Sequence, residues 1–298
     1  RWPRQLRGPG PTREHGAERM GEERDDIKMK RKFDLVAIDV DGTLLDESHR
    51  LRPAVIEAVR EAAASGAEIV LATGRGPSNS IPLLEEIGLK GTLITHNGAA
   101  TVESEGRRVL HSFAIPADAV GRYIEWCRGH GVHFDLNTAF DLYVESVTPE
   151  AEEMYGHYRI EPIYRKPDDP LPPDLVKFTA FGSKELMDRV QREWETWDSP
   201  LKRIRSGDWF IDVQHADVSK GAALRQLAAL RGVDRSRILA IGNYYNDIDM
   251  LRFAGLGVAM GNSPDEVKAA ADAVTRPNGE DGVAHAIRRY VLGKGSEL

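Results

Sequence analysis

The sequence predicts an α/β protein whose parallel sheet is interrupted by an α+β insertion. Two observations support the parallel sheet: short apolar strands alternate with amphipathic helices in the first and last thirds of the 298 residues, and the strand–helix–strand unit at 35–72 implies a right-handed crossover. A third observation concerns the middle of the chain, where strands and helices are mixed and no strand ends in an acidic motif. We therefore expect an inserted α+β segment there.

The first predicted strand ends at two acidic residues. Leu35–Ile38 is an unbroken apolar run, as in a strand buried on both faces, and Asp39 ends it. Asp39 and Asp41 are two residues apart, so an extended chain would point both the same way, and Gly42 allows a sharp turn after them. Ligands bind outside the carboxyl ends of strands in open α/β sheets. The alternative is that both aspartates merely end the strand and cap a turn.

Three more predicted strands, at 68–72, 92–95 and 238–241, end at polar residues: Thr73, Gly74 and Arg75; Asn97; and Asn243, Asn246 and Asp247. The first group offers a hydroxyl, a glycine amide and a guanidinium, which all donate hydrogen bonds to anions. Ser219 is a good helix N-cap and places Lys220 in the first turn of the next helix. One polar strand end has a simple explanation in turn chemistry, whereas four together indicate a site.

The chemistry that suits this set of residues is phosphoryl transfer. A phosphomonoester dianion that approaches a carboxylate is repelled, so the site needs cations. Lys220 supplies a point charge, and the oxygen-rich side chains suit a hard divalent metal, of which Mg²⁺ fits best.

Six motifs in this order resemble the haloacid dehalogenase-like phosphohydrolases, and in particular their Cof-type (IIB) sugar-phosphatase-like branch. They are DVDGTLL at Asp39–Leu45, ATGR at Ala72–Arg75, HNGA at His96–Ala99, VSKGAAL at Val218–Leu224, GNYYNDIDML at Gly242–Leu251 and VAMGNSPDEVKAAA at Val258–Ala271. The resemblance covers roughly residues 31–291. It implies a Rossmann-like core, 29–115 and 215–298, with an inserted α+β cap, 116–214, that closes over the substrate.

The resemblance also implies a role for each matching residue. Asp39 corresponds to the nucleophile that accepts the phosphoryl group, and Asp41 to the general acid and base. The expected phosphate and substrate ligands are Thr73, Gly74, Arg75, Asn97, Lys220 and Asn246. The expected Mg²⁺ ligands are Asp39, Asp41, Asn243 and Asp247.

One position departs from the family pattern. Family members usually have GDxxND where this chain has Gly242 and Asn243, so an amide replaces a metal-binding carboxylate. We expect a phosphatase that hydrolyses small phosphorylated metabolites such as sugar phosphates through an aspartyl phosphate. Two alternatives stay open: a phosphomutase of the same superfamily, and a catalytically impaired regulatory protein that binds a phosphorylated ligand.

Composition limits which partners and which cellular compartment we expect for this protein. The net charge of −7 and the pI near 5.8 argue against nucleic acid as a partner. Cys127 is the single cysteine, which excludes an intrachain disulfide and favours a cytoplasmic protein, and no apolar run is long enough for a membrane span. We expect residues 1–28 to be a disordered tail, either an artificial extension or sequence upstream of a start at Met29. The physiological substrate and the oligomeric state stay open.

Overall fold

Two β-sheets organise the chain in the computed structural model, which describes residues 32–158 and 160–294. The expectation for residues 1–28 lies outside the described residues. Along the chain the strands are β1 (Leu35–Asp39), β2 (Glu68–Ala72), β3 (Thr92–Thr95), β4 (Ala100–Glu103), β5 (Val109–Ser112), β6 (His133–Asn137), β7 (Leu142–Val144), β8 (Ile163–Tyr164), β9 (Lys177–Phe181), β10 (Leu201–Arg205), β11 (Phe210–His215), β12 (Ile238–Gly242), β13 (Leu256–Ala259) and β14 (Ala273–Val274).

The α-helices along the chain are α1 (Pro53–Ala64), α2 (Ile81–Ile87), α3 (Ala117–His130), α4 (Pro149–His157), α5 (Lys184–Glu195), α6 (Lys220–Arg231), α7 (Ile248–Phe253), α8 (Asp265–Ala270) and α9 (Gly282–Ala286). None of the helices in the described ranges combines the length and the apolar character that crossing a membrane requires.

The larger sheet, which we call the core sheet, has the strand order β14-β13-β12-β1-β2-β3-β4-β5. Strands β12, β1, β2 and β3 are adjacent and parallel. Their carboxyl ends therefore share one edge of the sheet, as the sequence predicts.

Helices cover both faces of the core sheet, which explains why β1 is apolar up to its last residue, Asp39. Val36 and Ile38 pack in a cluster with α1 and α9 on one face. Leu35 and Ala37 pack in a second cluster with α6 and α7 on the other face. A strand that is buried on both faces has no solvent-facing position for a polar residue, so the charged residues follow at its end.

Between Ala117 and His215 lies a second sheet, of order β10-β11-β9-β6-β7-β8, together with α3, α4 and α5. We call Ala117–His215 the insert. The pairs β10–β11, β11–β9, β9–β6 and β6–β7 are antiparallel, and α3 and α5 pack on one face of the sheet through residues such as Val120 and Trp194. The described residues from Phe33 onwards belong to one compact unit, so the division into two domains at residues 116 and 214 stays a prediction.

Some predicted elements differ in detail from the structure. The proline-rich sequence at 162–173 is typical of a loop, but it contains β8, which pairs with β7 in parallel. The sequence at 175–181 predicts a strand, which in the structure begins at Lys177. The sequence at 284–291 predicts a helix, and the structure has α9 followed by a wider helical turn, Ile287–Val291. These differences lie at element ends and in a two-residue strand, where pairing with neighbours outweighs local sequence preference.

Candidate active site

The end of β1 holds the first predicted pair of carboxylates. Asp39 is the last residue of β1 and is buried, with 5% of its surface exposed. The chain then turns through Val40–Leu44, where Gly42 has a φ of 78°. A Cβ at Gly42 would lie 2.3 Å from Nδ2 of Asn243. Glycine is therefore needed here both for the turn and for the close approach of the loop after β12.

Lys220 lies between two buried carboxylates. Its Nζ donates hydrogen bonds to Oδ1 of Asp39 at 2.6 Å and to Oδ1 of Asp247 at 2.7 Å. Ser219 caps α6 as predicted, accepting a hydrogen bond from the Ala222 amide at 3.0 Å. The helix dipole disfavours a cation in the first turn of a helix. The position of Lys220 is therefore explained by its contacts with the two carboxylates and not by helix stability.

The turn after β3 packs directly against the start of α6. Gly98 has a φ of 101°, and a Cβ there would lie 2.1 Å from the carbonyl oxygen of Ser219. Only glycine permits this contact, which ties the end of β3 to the residue that precedes Lys220.

Burial and neighbouring charges govern the protonation of Asp39 and Lys220. Burial and the charge of Asp247 raise the pKa of Asp39 from 3.8 to about 7, although the charge of Lys220 and its hydrogen bond to Asp39 oppose the rise. Burial acts to lower the pKa of Lys220, but Asp39 and Asp247 outweigh it and the pKa is raised. Lys220 is therefore a permanent cation. Oδ2 of Asp39 has no hydrogen-bond partner within the described chain, so one oxygen of this desolvated carboxylate is left for another ligand.

Asp41 occupies a more exposed position and has a different partner. Arg75 binds it through both arms, with Nε at 2.9 Å from Oδ2 and Nη2 at 2.5 Å from Oδ1. The Asp41 side chain is 45% exposed. Thr73 is buried at the end of β2, and its hydroxyl accepts a hydrogen bond from the Arg75 amide at 3.1 Å. The structure thus brings Asp41, Thr73 and Arg75 together, as predicted.

Asn97 and Asn246 also meet at this edge. Nδ2 of Asn246 donates to Oδ1 of Asn97 at 3.0 Å, and a Cβ on Gly74 would lie 3.1 Å from the same oxygen. Asn97 has a φ of 58°, in the left-handed region that asparagine tolerates better than most residues.

Asp247 organises the loop after β12. Its Oδ2 accepts hydrogen bonds from the amides of Asn243 at 2.9 Å and Tyr244 at 3.0 Å, while its Oδ1 accepts from Lys220. Oδ1 of Asn243 accepts from the Thr43 hydroxyl at 3.2 Å. Both oxygens of Asp247 therefore already hold protein hydrogen bonds.

The residues at this edge fit a hard cation through their oxygens. The described residues contain no group of three histidine, cysteine, aspartate or glutamate side chains suited to a metal. What they offer is the carboxylate of Asp39 and the amide oxygen of Asn243. Oxygen ligands in small number suit Mg²⁺, which keeps several waters.

A cleft of about 990 Å³ is lined by this edge and by the insert. Asp41, Arg75 and Asn97 belong to its wall on the core side. On the insert side, β6, β9 and β11 contribute polar residues from one face of their sheet: Asp135, Asn137, Lys177, Thr179 and Asp212. We call these five residues the polar face.

Side-chain contacts connect the polar face. Nδ2 of Asn137 donates to Asp135 at 2.6 Å, and the Thr179 hydroxyl donates to Asp212 at 2.9 Å. Nζ of Lys177 lies 3.8 Å from Oδ1 of Asp212. Burial raises the pKa of Asp135 from 3.8 to about 6, against the opposing charge of Lys177.

Sequence reasoning did not identify the polar face, although a signal was present. Polar and apolar residues alternate in HFDLN at 133–137, KFTA at 177–180 and IDVQ at 211–214. Because successive side chains of a strand point to opposite faces, the apolar set packs under α3 and α5 and the polar set faces the cleft. Buried polar residues at every second position of neighbouring strands were the missed indication.

Comparisons with known proteins match the chain to one family and to solved structures of the same fold. The haloacid dehalogenase-like hydrolase family matches residues 36–287. The 5-amino-6-(5-phospho-D-ribitylamino)uracil phosphatase YcsE of Bacillus subtilis is 31% identical, over 92% of this chain and 100% of its own length. A haloacid dehalogenase-like hydrolase from Bacteroides thetaiotaomicron superposes with a TM-score of 0.76 at 27% identity, covering 87% of this chain and 99% of that one. A sugar phosphatase of HAD subclass IIB superposes with a TM-score of 0.70 at 29% identity, covering 86% and 98%.

Proposed function

The chain belongs to the haloacid dehalogenase-like hydrolases, and we propose that it is an Mg²⁺-dependent phosphatase of small phosphorylated metabolites that works through an aspartyl phosphate. The observation that carries this proposal is the environment of Asp39. One oxygen of this buried carboxylate is held by Lys220 at 2.6 Å, and the other has no partner in the described ranges. A carboxylate that is desolvated and held at one oxygen is prepared to attack with the other.

The proposed reaction has two steps. In the first, an Asp39 oxygen attacks phosphorus and the ester P–O bond breaks, while Asp41 gives a proton to the leaving oxygen. In the second, water attacks the aspartyl phosphate, Asp41 takes the proton of the water, and phosphate leaves. Lys220 offsets negative charge throughout, because it stays protonated beside Asp39 and Asp247.

Arg75 and the asparagines suit the phosphoryl group. The Arg75 guanidinium is bound to Asp41, and a phosphate dianion competes for the same donors, so its arrival frees Asp41 for proton transfer. The hydroxyl of Thr73 and the amides of Asn97 and Asn246 are further donors at this edge. Mg²⁺, held by Asp39, the Asp41 carbonyl and Asn243, would supply positive charge that lowers the repulsion between carboxylate and phosphate.

The polar face suits a hydroxylated leaving group. Its two carboxylates, amide, hydroxyl and ammonium offer both donors and acceptors, which match the hydroxyls of a sugar phosphate. The same face disfavours an apolar leaving group, because buried polar groups would lose their partners. We propose that the insert is a cap that binds the leaving group and opens between turnovers. The protein is proposed to act in the cytoplasm, where its single cysteine would stay reduced.

A panel of phosphorylated metabolites, assayed for phosphate release with Mg²⁺, tests the activity. We expect hydrolysis of sugar phosphates by wild type and none by Asp39→Asn, whose amide is nearly isosteric but does not attack phosphorus. Release of no phosphate from any ester would overturn the proposal, and conversion of one phosphosugar into an isomer would favour the phosphomutase.

The role of Asp41 has a separate test. Asp41→Asn should slow hydrolysis of esters with poor leaving groups by about 10²- to 10⁴-fold. Esters with very good leaving groups need no protonation and should lose much less. An equal loss for both kinds of ester would contradict the assignment of Asp41 as the acid.

A further inference from the structure

His96 is a buried polar side chain that the proposed reaction does not use. It follows β3 directly, is 5% exposed and belongs to the wall of the cleft. Neither ring nitrogen has a hydrogen-bond partner among the residues described. The backbone of His96 is satisfied, since its amide donates to the Arg75 carbonyl at 3.0 Å and its carbonyl accepts from Nε2 of Gln214 at 2.8 Å. Only the imidazole has no described protein partner within hydrogen-bonding geometry, and the backbone of Ala139 is the polar group beside it.

The local structure holds this ring in place at a cost. His96 has a φ of 51°, which is unfavourable for a residue other than glycine. The ring lies against Gly76, where a Cβ would be 3.1 Å from Cε1 and 3.5 Å from Nε2 of His96. Buried polar groups normally have partners, so a strained backbone that carries an unpartnered ring in a cleft wall indicates a ligand.

The ring is neutral, which defines the ligand chemistry. Burial and the charge of Lys177 lower the pKa of His96 to about 3, although the backbone of Ala139 close to the ring opposes this. A neutral imidazole has one donor and one acceptor nitrogen. A hydroxyl group, which both donates and accepts, complements it, whereas a second phosphate would require a cation.

A ligand hydroxyl bound by His96 would lie near the phosphoester. His96 immediately precedes Asn97, and its amide is bound to the carbonyl of Arg75, two residues assigned above to the phosphoryl group. If the proposed phosphatase function holds, we infer that His96 binds a hydroxyl of the leaving group close to the phosphoester and so selects phosphorylated polyols over alkyl phosphates.

Two esters with the same carbon chain test this inference. Sorbitol 6-phosphate carries hydroxyls and hexyl phosphate has none, so the ratio of their kcat/KM values reports recognition of hydroxyls. Loss of one hydrogen bond to a buried group predicts that His96→Phe and His96→Asn reduce this ratio by about 5- to 100-fold. The reduction should come from sorbitol 6-phosphate, with hexyl phosphate changed by less than about 3-fold. His96→Asn is included because asparagine tolerates the left-handed backbone.

His111 provides a matched control. It also has a buried ring nitrogen, Nδ1, without a partner in the described chain, but it is not among the residues that line the cleft. His111→Asn should therefore keep the wild-type ratio. Gly76→Ala keeps the imidazole and displaces it by a few tenths of an ångström, and its ordinary φ of −78° accepts alanine. It should reduce the ratio partially.

The outcomes separate the inference from the proposed function. Wild type that hydrolyses neither ester refutes the phosphatase. A wild-type ratio in folded His96 variants, or an equal loss on both esters, refutes the role of His96 while leaving the phosphatase intact. Should both His96 variants fail to fold, Gly76→Ala tests the role of His96 in their place. An unchanged ratio of the two kcat/KM values in that variant overturns the inference.

Discussion

Replacing Lys220 by methionine should destabilise the protein in a way that depends on pH. The Lys220 side chain is 1% exposed and is the cation that contacts Asp39 and Asp247, whose side chains are 7% and 0% exposed. Methionine has a similar length, so the main change is the loss of the charge. Removing one partner of a buried ion pair typically costs about 3 to 5 kcal/mol, because the other charge stays buried and uncompensated.

The pH dependence follows from Asp39. Its pKa is raised from 3.8 to about 7 in the folded protein, so the folded state binds the Asp39 proton more tightly than the unfolded state does. The stabilisation that comes from this proton is lost as pH rises through about 7. At about pH 5 Asp39 is protonated, and Lys220→Met breaks chiefly the pair with Asp247. At about pH 8 the variant leaves both carboxylates without their cation, so we expect the larger loss there.

Urea unfolding of wild type and variant at both pH values measures the difference in free energy of unfolding. Lys184→Met removes an exposed lysine that pairs with Asp188 and should change stability little, because exposed pairs contribute little. Asp39→Asn combined with Lys220→Met should recover part of the loss, since one of the uncompensated charges is gone. An equal loss at both pH values, or a loss no larger than that of Lys184→Met, would refute the reasoning.

Two further predictions concern the polar face and the metal. Asp135→Asn removes a carboxyl whose pKa is raised from 3.8 to about 6. The protonated carboxyl favours the folded wild type, and this stabilisation is lost as pH rises through about 6, so the free energy of unfolding of the variant should gain up to about 3 kcal/mol relative to wild type between about pH 4 and 8. A difference in free energy of unfolding that stays constant across this range would contradict the prediction. Asn243→Asp should lower the Mg²⁺ concentration for half-maximal activity by at least about tenfold, because it restores a charge beside a hard cation. Calorimetric Mg²⁺ binding should show the same shift, and Asn262→Asp, a nearby exposed change of the same kind, should not.

The sequence predicted the core edge well because each of its signals is local. An apolar run that ends in a polar residue needs no knowledge of distant parts of the chain, and Asp39 and Thr73 were both identified this way. The parallel crossover rule then brought their strand ends to one edge, which the core sheet confirms. The contact of Lys220 with Asp39 spans 181 positions, and the sequence indicated it only through the family resemblance.

The polar face could not be located in the same manner. Alternation in β6 and β9 shows that one face is polar, but not whether that face meets solvent or another part of the protein. Asp135 is buried, which raises its pKa, and it lies in the cleft wall beside Tyr155 of α4. That arrangement depends on the whole fold. The short strand β8 was missed for a related reason, since its two residues are held by pairing with β7 and carry no pattern of their own.

Several residues that violate local rules meet at one edge of the core sheet. Lys220 puts a cation at a helix N-terminus, Asp39 keeps a buried oxygen without a partner, and His96 and Asn97 adopt left-handed backbone angles in succession. Each of these features costs stability, whereas β1 and the helices around it follow the rules of burial throughout. Features that cost stability persist where a ligand or a reaction uses them. His96 shares this edge and this kind of cost with Asp39 and Lys220, which is why we place it in contact with the substrate and not in the packing of the core.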